Sequence, residues 1–298
     1  MQNLLALGIA ALLLLSCQPQ PNRDTTDFLA EGTFTAGMEG PAVDAQGNLY
    51  AVNYQKEGTL GIVSPDGQAN LFVTLPDSST GNGIRIGEDG TLYVADYVGH
   101  HILKVNPETR EVSRWIYGPG FHQPNDLAMA PNRQLYASDP DWANSTGQLW
   151  MVDTSDSLVL LETGMGTTNG LEVSPDGLRF YVNEAKQQRI WVYDRLPDGR
   201  LENKRLFYQF TGHELDGMRC DTQGNLYVAR YGSGTVVVFS PEGEIIRTVQ
   251  LKGEKPTNLA FGGPEGKTVF VTLADRGCFE VFEAPYPGRA FVERKTGK

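Results

Sequence analysis

Apolar and polar positions alternate in short runs along this chain, and no stretch sustains the spacing of a helix with one buried face. Runs such as Leu49-Tyr50-Ala51-Val52, Leu92-Tyr93-Val94 and Leu226-Tyr227-Val228 each follow a turn rich in Gly, Asn or Asp. That combination predicts strands entered from tight hairpins. The pattern repeats six times, with aromatic residues at positions 50, 93, 136, 181, 227 and 270 spaced 43, 43, 45, 46 and 43 apart. A four-stranded propeller blade takes about 40–45 residues. Within the first period the spacing predicts strands at 42–44, 49–54, 60–63 and 69–74, separated by turns such as Ser64-Pro65-Asp66-Gly67. Pro there fixes φ and Gly supplies the positive φ of a hairpin. The expected fold is all-β, a six-bladed β-propeller of four-stranded antiparallel blades. The last period holds three strands before Ala284-Pro285, and its fourth must come from residues 28–34 or 290–294. Closure by the opposite terminus removes the exposed sheet edges, which favours 28–34.

The same register exposes candidate chemistry. Eleven or twelve residues before each marker aromatic stand Glu39, Asn82, Asn125, Asn169, Asp216 and Asn258. Each carries a side-chain oxygen and opens the innermost strand of its blade, so six blades direct six oxygens at one axis. Any one Asn or Asp at a strand start is explained by local backbone hydrogen bonding. Six in register are not. Converging amides and carboxylates stay unsatisfied or repel unless a cation lies between them. Two carboxylates among oxygen donors suit a hard ion, with Ca2+ foremost and Mg2+, Mn2+ or Zn2+ as other candidates.

Composition narrows the partners. A formal charge of −11 argues against nucleic acid, whose phosphates need a basic surface. Residues 1–17 hold an apolar run ending Leu14-Leu15-Ser16-Cys17, which reads as an export signal and resembles the bacterial lipobox, in which the Cys is lipidated. Cys17 is then the anchor, 18–27 a polar tether and 28–298 the propeller. The expected location is the bacterial cell envelope, periplasm or outer membrane, with the membrane touched only through the lipid. Cys220 is read as a small buried apolar group, and a Cys220–Cys278 bridge stays open in an oxidising compartment, although the repeat separates the two by most of a blade.

Five segments resemble the SMP-30/gluconolactonase/LRE family. They are Glu39-Gly40-Pro41, Pro124-Asn125-Asp126, the run from Asn169 through Gly170, Leu171 and Glu172 to Asp176, Asp216-Gly217-Met218, and the run from Pro256 through Asn258 to Gly263. Members of that family are six-bladed propellers that include metal-dependent lactonases. The resemblance implies that Glu39, Asn169 and Asp216 ligate a metal, and that Asn125 is a further ligand or touches the substrate. It also implies Asp216 as the general base in opening a small-molecule lactone or ester with water. Asn82 and Asn258 rest on register alone and are read as neighbours of the ligands. Sugar-lactonase members carry an Arg two residues before the Asn matching Asn125, whereas this chain has Gln123. Asp139 falls where a family acidic residue lines the pocket, or it caps a loop. His122 and His213 each precede a ring residue by three positions, so both are candidates for the channel mouth or for exposed loops. Organophosphate hydrolysis, and a non-catalytic propeller with a structural metal and a binding surface, stay open beside the lactonase reading.

Overall fold

The computed structural model describes residues 25–296. Its strands form six four-stranded antiparallel sheets. Blades one to five run over residues 42–74, 81–117, 127–165, 168–209 and 218–250, and blade six over 256–283 plus one N-terminal strand. The innermost strands are Ala42–Val43, Gly81–Ile86, Leu127–Met129, Thr168–Val173, Met218–Cys220 and Pro256–Gly262, each touching its neighbours around a central channel. They are almost wholly buried, while the outermost strand of blade four, Leu201–Gln209, is largely exposed. This gradient follows from the architecture, because an inner strand has a neighbouring blade on both faces.

The core lies between blades rather than at the axis. Tyr50, Val52 and Leu60 of blade one pack with Ile84, Leu92 and Val94 of blade two in one apolar cluster. The repeated turns have a repeated cause. Asp44 accepts the Asn48 amide at 2.8 Å, its side-chain amide at 2.8 Å and the Tyr50 hydroxyl at 3.1 Å. Asp221 does the same for Asn225 and Tyr227 at 3.0, 2.8 and 3.4 Å. The intervening Gly47 and Gly224 hold φ of 88° and 81°, a region that suits glycine. One aspartate thus ties the turn to the marker aromatic and sets the strand register.

The N-terminal side closes the ring. Thr26 and Asp27 pair with Val281 and Glu280, inside the stretch expected to be tether. Residues 28–34 continue along the same edge through Phe28 N to Phe279 O and Phe34 N to Gly277 O, both 2.9 Å. The strand therefore starts two residues earlier than the sequence suggested. Residues 290–294 are not a strand: they lie in a helix, Arg289–Thr296, the one departure from all-β structure among the described residues. Eight residues are too few to show a helical period in sequence. Arg289 holds the helix against the inner strands by donating to Glu172 at 2.7 Å and to the Met129 carbonyl at 2.9 Å. Those contacts lie toward the C-terminal ends of the inner strands, so the helix covers the channel mouth opposite the predicted oxygens.

Cys220 and Cys278 are both buried and unpaired. Cys17 and the export segment lie outside the described residues. Among those described, no helix is long and apolar enough to cross a membrane.

Arg276 locks the closing strand, donating to Asp27 at 2.8 Å, Glu31 at 2.7 Å and the fully buried Glu280 at 2.6 Å. Breaking a buried pair costs roughly 3 kcal/mol. Arg276→Met should lose about that much in urea unfolding. An unchanged midpoint would mean that backbone pairing alone closes the ring.

Candidate active site

Two devices alternate round the channel to aim the predicted oxygens. In blades two, four and six the inner strand carries a bulge at the ring residue. Gly81 pairs with Asp96 but Ile84 with Val94, and the same extra residue appears between Thr168 and Leu171 and between Pro256 and Leu259. A bulge turns one side chain out of the alternation, and here it falls at Asn82, Asn169 and Asn258. In blades one, three and five, Glu39, Asn125 and Asp216 stand just before short strands beginning at Ala42, Leu127 and Met218.

Glycine sets how tightly these positions converge. A Cβ on Gly40 would lie 2.0 Å from the Asn82 carbonyl oxygen, and one on Gly83 would lie 2.9 Å from that of Asn125. On Gly170 it would meet the Asp216 carbonyl oxygen at 2.2 Å, and on Gly217 the Asn258 side chain at 2.0 Å. The Asn258 amide donates to Glu39 Oε2 at 3.0 Å, linking the last blade to the first. Gly83 N to Asn125 O (2.8 Å) and Gly217 N to Thr257 O (2.7 Å) tie further neighbours. Five of the six junctions between adjacent ring positions are thus in direct contact or hydrogen-bonded.

The electrostatics follow from that crowding. Glu39 is buried and pushed up to about 7, first by burial and then by the nearby Asp126 carboxylate. Asp216 keeps part of its surface open, yet burial and the Glu39 and Asp126 charges hold its carboxyl well above the usual range, against a hydrogen bond from Asn169. Two anions in one desolvated ring resist ionising together. Meanwhile the Oδ1 atoms of Asn125 and Asn169 are buried and accept nothing. Buried carbonyl oxygens left bare beside reluctant carboxylates fit a hard cation. The donor set is amide-rich: among the described residues no three His, Cys, Asp or Glu cluster as a metal site. Asn258 differs from its counterparts, since its Oδ1 accepts the Leu259 amide and only its nitrogen faces Glu39.

The other predicted residues separate from the ring. Asp139 is wholly buried and accepts from the His122 and Gln123 amides, Gln148 Nε2 at 2.7 Å and Trp150 Nε1 at 3.1 Å. Its oxygens build the loop that carries Pro124 and Asn125 instead of lining a pocket. His122 is exposed, and its backbone supports that same loop. His213 is exposed with φ of 62°, beside Gly232. Gln123 hydrogen-bonds the Tyr97 hydroxyl.

The sequence reading missed several residues. Asn183 donates to the Asp216 carbonyl at 2.6 Å, bracing the peptide that carries the carboxylate. Below the ring, Asp126 is held by Arg85 at 3.3 Å and Arg219 at 3.4 Å. Arg85, Glu172 and Arg219 each follow a ring residue by three positions, so the ring register extended one step would have found this tier.

Comparison with known proteins agrees with this fold. The family model described as SMP-30/Gluconolactonase/LRE-like region matches residues 37–275. The chain is 28% identical to a gluconolactonase from Zymomonas mobilis, over 79% of this chain and 76% of that one. It is 27% identical to the diisopropyl-fluorophosphatase of Loligo vulgaris, over 83% and 88%. Among solved structures, a gluconolactonase from Xanthomonas campestris shares the fold at a TM-score of 0.74 and 20% identity, covering 88% of this chain and 89% of that one.

Two outcomes follow from the ring. A carboxyl raised from 4.5 to about 7 keeps its proton in the folded state where the unfolded chain has lost it, so stability falls as pH rises through that window. Melting in chelator should therefore drop between pH 5 and 7.5, and added Ca2+ should flatten the drop; parallel curves would refute the coupling. Gly217→Ala should displace Asn258 and cost about 1–3 kcal/mol, with a matching loss of Ca2+ affinity by calorimetry.

Proposed function

Since the chain belongs to the SMP-30/gluconolactonase/LRE-like family, we propose that it is a hydrolase that opens lactones or related esters at the six-residue ring with one divalent metal ion. The observation carrying this reading is the pair of bare, buried amide oxygens on Asn125 and Asn169 beside Glu39 and Asp216. Those four residues would hold the ion, and an all-oxygen set with two carboxylates favours Ca2+. The ion, when bound, supplies Lewis acidity toward the substrate carbonyl.

The chain's own residues do the rest. Asp216, the ring carboxylate with open surface, takes a proton from the attacking water. The water oxygen bonds to the carbonyl carbon, the ring C–O bond breaks, and the proton passes to the departing alkoxide. Asn183 fixes the Asp216 peptide, and Asn258 orients Glu39. Similarity to a fluorophosphatase gives a second substrate class, phosphorus esters, whose P=O a metal polarises in the same manner. The export segment, outside the described residues, suggests a lipid-anchored enzyme of the bacterial envelope.

The test is a lactone screen on chelator-treated protein. Turnover should vanish with chelator and return with Ca2+. Asp216→Asn should keep measurable Ca2+ binding yet lose about 10²–10⁴-fold in kcat. Full activity in the variant would remove Asp216 from its role, and tight metal with no turnover of any ester would favour a binding module.

A further inference from the structure

Behind the ring, toward the helix, lies a cavity of about 70 Å3. Its walls are mostly apolar, from Pro41, Ala42, Ile84, Ala260 and Phe291, yet Arg85, Arg219, Arg289 and Arg294 also line it. Glu172 and Glu293 are their carboxylate companions there, and Asp126 pairs with the first two arginines from above. Arg294 also has the Asp44 carboxylate beside it, and Glu88 and Arg133 at the rim pair with each other, so what stays unmatched is individual guanidinium nitrogens. Arg85 and Arg219 are bound in the same way. Each spends one nitrogen on Asp126 and on the carbonyl of its preceding residue, and each leaves Nη2 buried without a partner. Arg289 likewise leaves Nε bare. All three residues are more than nine-tenths buried.

Arginine does not satisfy such bare nitrogens by giving up its proton near neutrality. Water supplies a dipole but no charge. We propose that this cavity binds one small monovalent anion of chloride size, seated between Arg85 and Arg219 and enclosed by the C-terminal helix. A single anion would accept from both bare Nη2 groups, and a cavity of this volume admits a halide with a few waters. Burial and the neighbouring Arg219 push Arg85 down to about 10. The site is distinct from the ring and does not depend on the hydrolase reading.

Crystals of the full chain soaked in bromide, with and without Ca2+, test this directly. An anomalous peak within about 3.5 Å of both guanidinium groups is expected in each case. In solution, chloride should raise the melting temperature saturably, by about 4 °C at about 200 mM for millimolar affinity. The bulky anion 2-(N-morpholino)ethanesulfonate at equal ionic strength should not. Arg219→Met should lose the chloride increment, as should Ala260→Val, which keeps every charge and narrows the cavity. No anomalous peak overturns the proposal. So does a peak seen only at molar bromide, an adventitious ion only, or a chloride response unchanged in both variants.

Discussion

Close approach of the six innermost strands is the constraint on which this molecule rests. The glycines after Glu39, Asn82, Asn169 and Asp216 let the next blade sit where a Cβ would otherwise be. That spacing brings Glu39 within reach of Asn258, sets Asp216 beside Asn169, and forces two carboxylates to share a desolvated ring. A channel one methyl wider at those four junctions would hold the same residue types without the electrostatic tension that makes them a cation site.

Seen along its axis, the channel is layered. Amides and carboxylates form one mouth, ion pairs centred on Asp126 and Glu172 fill the middle, and the Arg289–Thr296 helix covers the far end. Buried ion pairs add little net stability, because desolvation offsets their attraction. Their value here is geometric. Arg85 and Arg219 approach Asp126 from two different blades, so the base of the ring is held by groups that cannot move independently.

Fold and ring were legible for the same reason: a propeller writes its geometry into sequence as a period. The Asp44 and Asp221 networks impose one register on turn and aromatic alike, so counting back from Tyr50 or Tyr227 reaches Glu39 or Asp216 without reference to coordinates. What escaped lacks that periodic support. The helix Arg289–Thr296 has no counterpart in the other described periods and is too short to declare itself. For Asp139 the sequence left pocket lining and loop capping side by side, because it cannot reveal that four donors consume its oxygens. Asn183 matters through contact with a neighbouring blade, and contacts between blades are invisible to a pattern read within one.

The pairing of Thr26 with Val281 joins residues from opposite ends of the chain. Such a contact carries a large loop-closure entropy and forms late. Until it does, the strand Cys278–Glu283 is an open template for any passing strand, another copy of the chain included. The seam is therefore the kinetic weak point of biosynthesis, and Arg276, which bonds both sides of it, acts as a latch against misassembly as well as against unfolding.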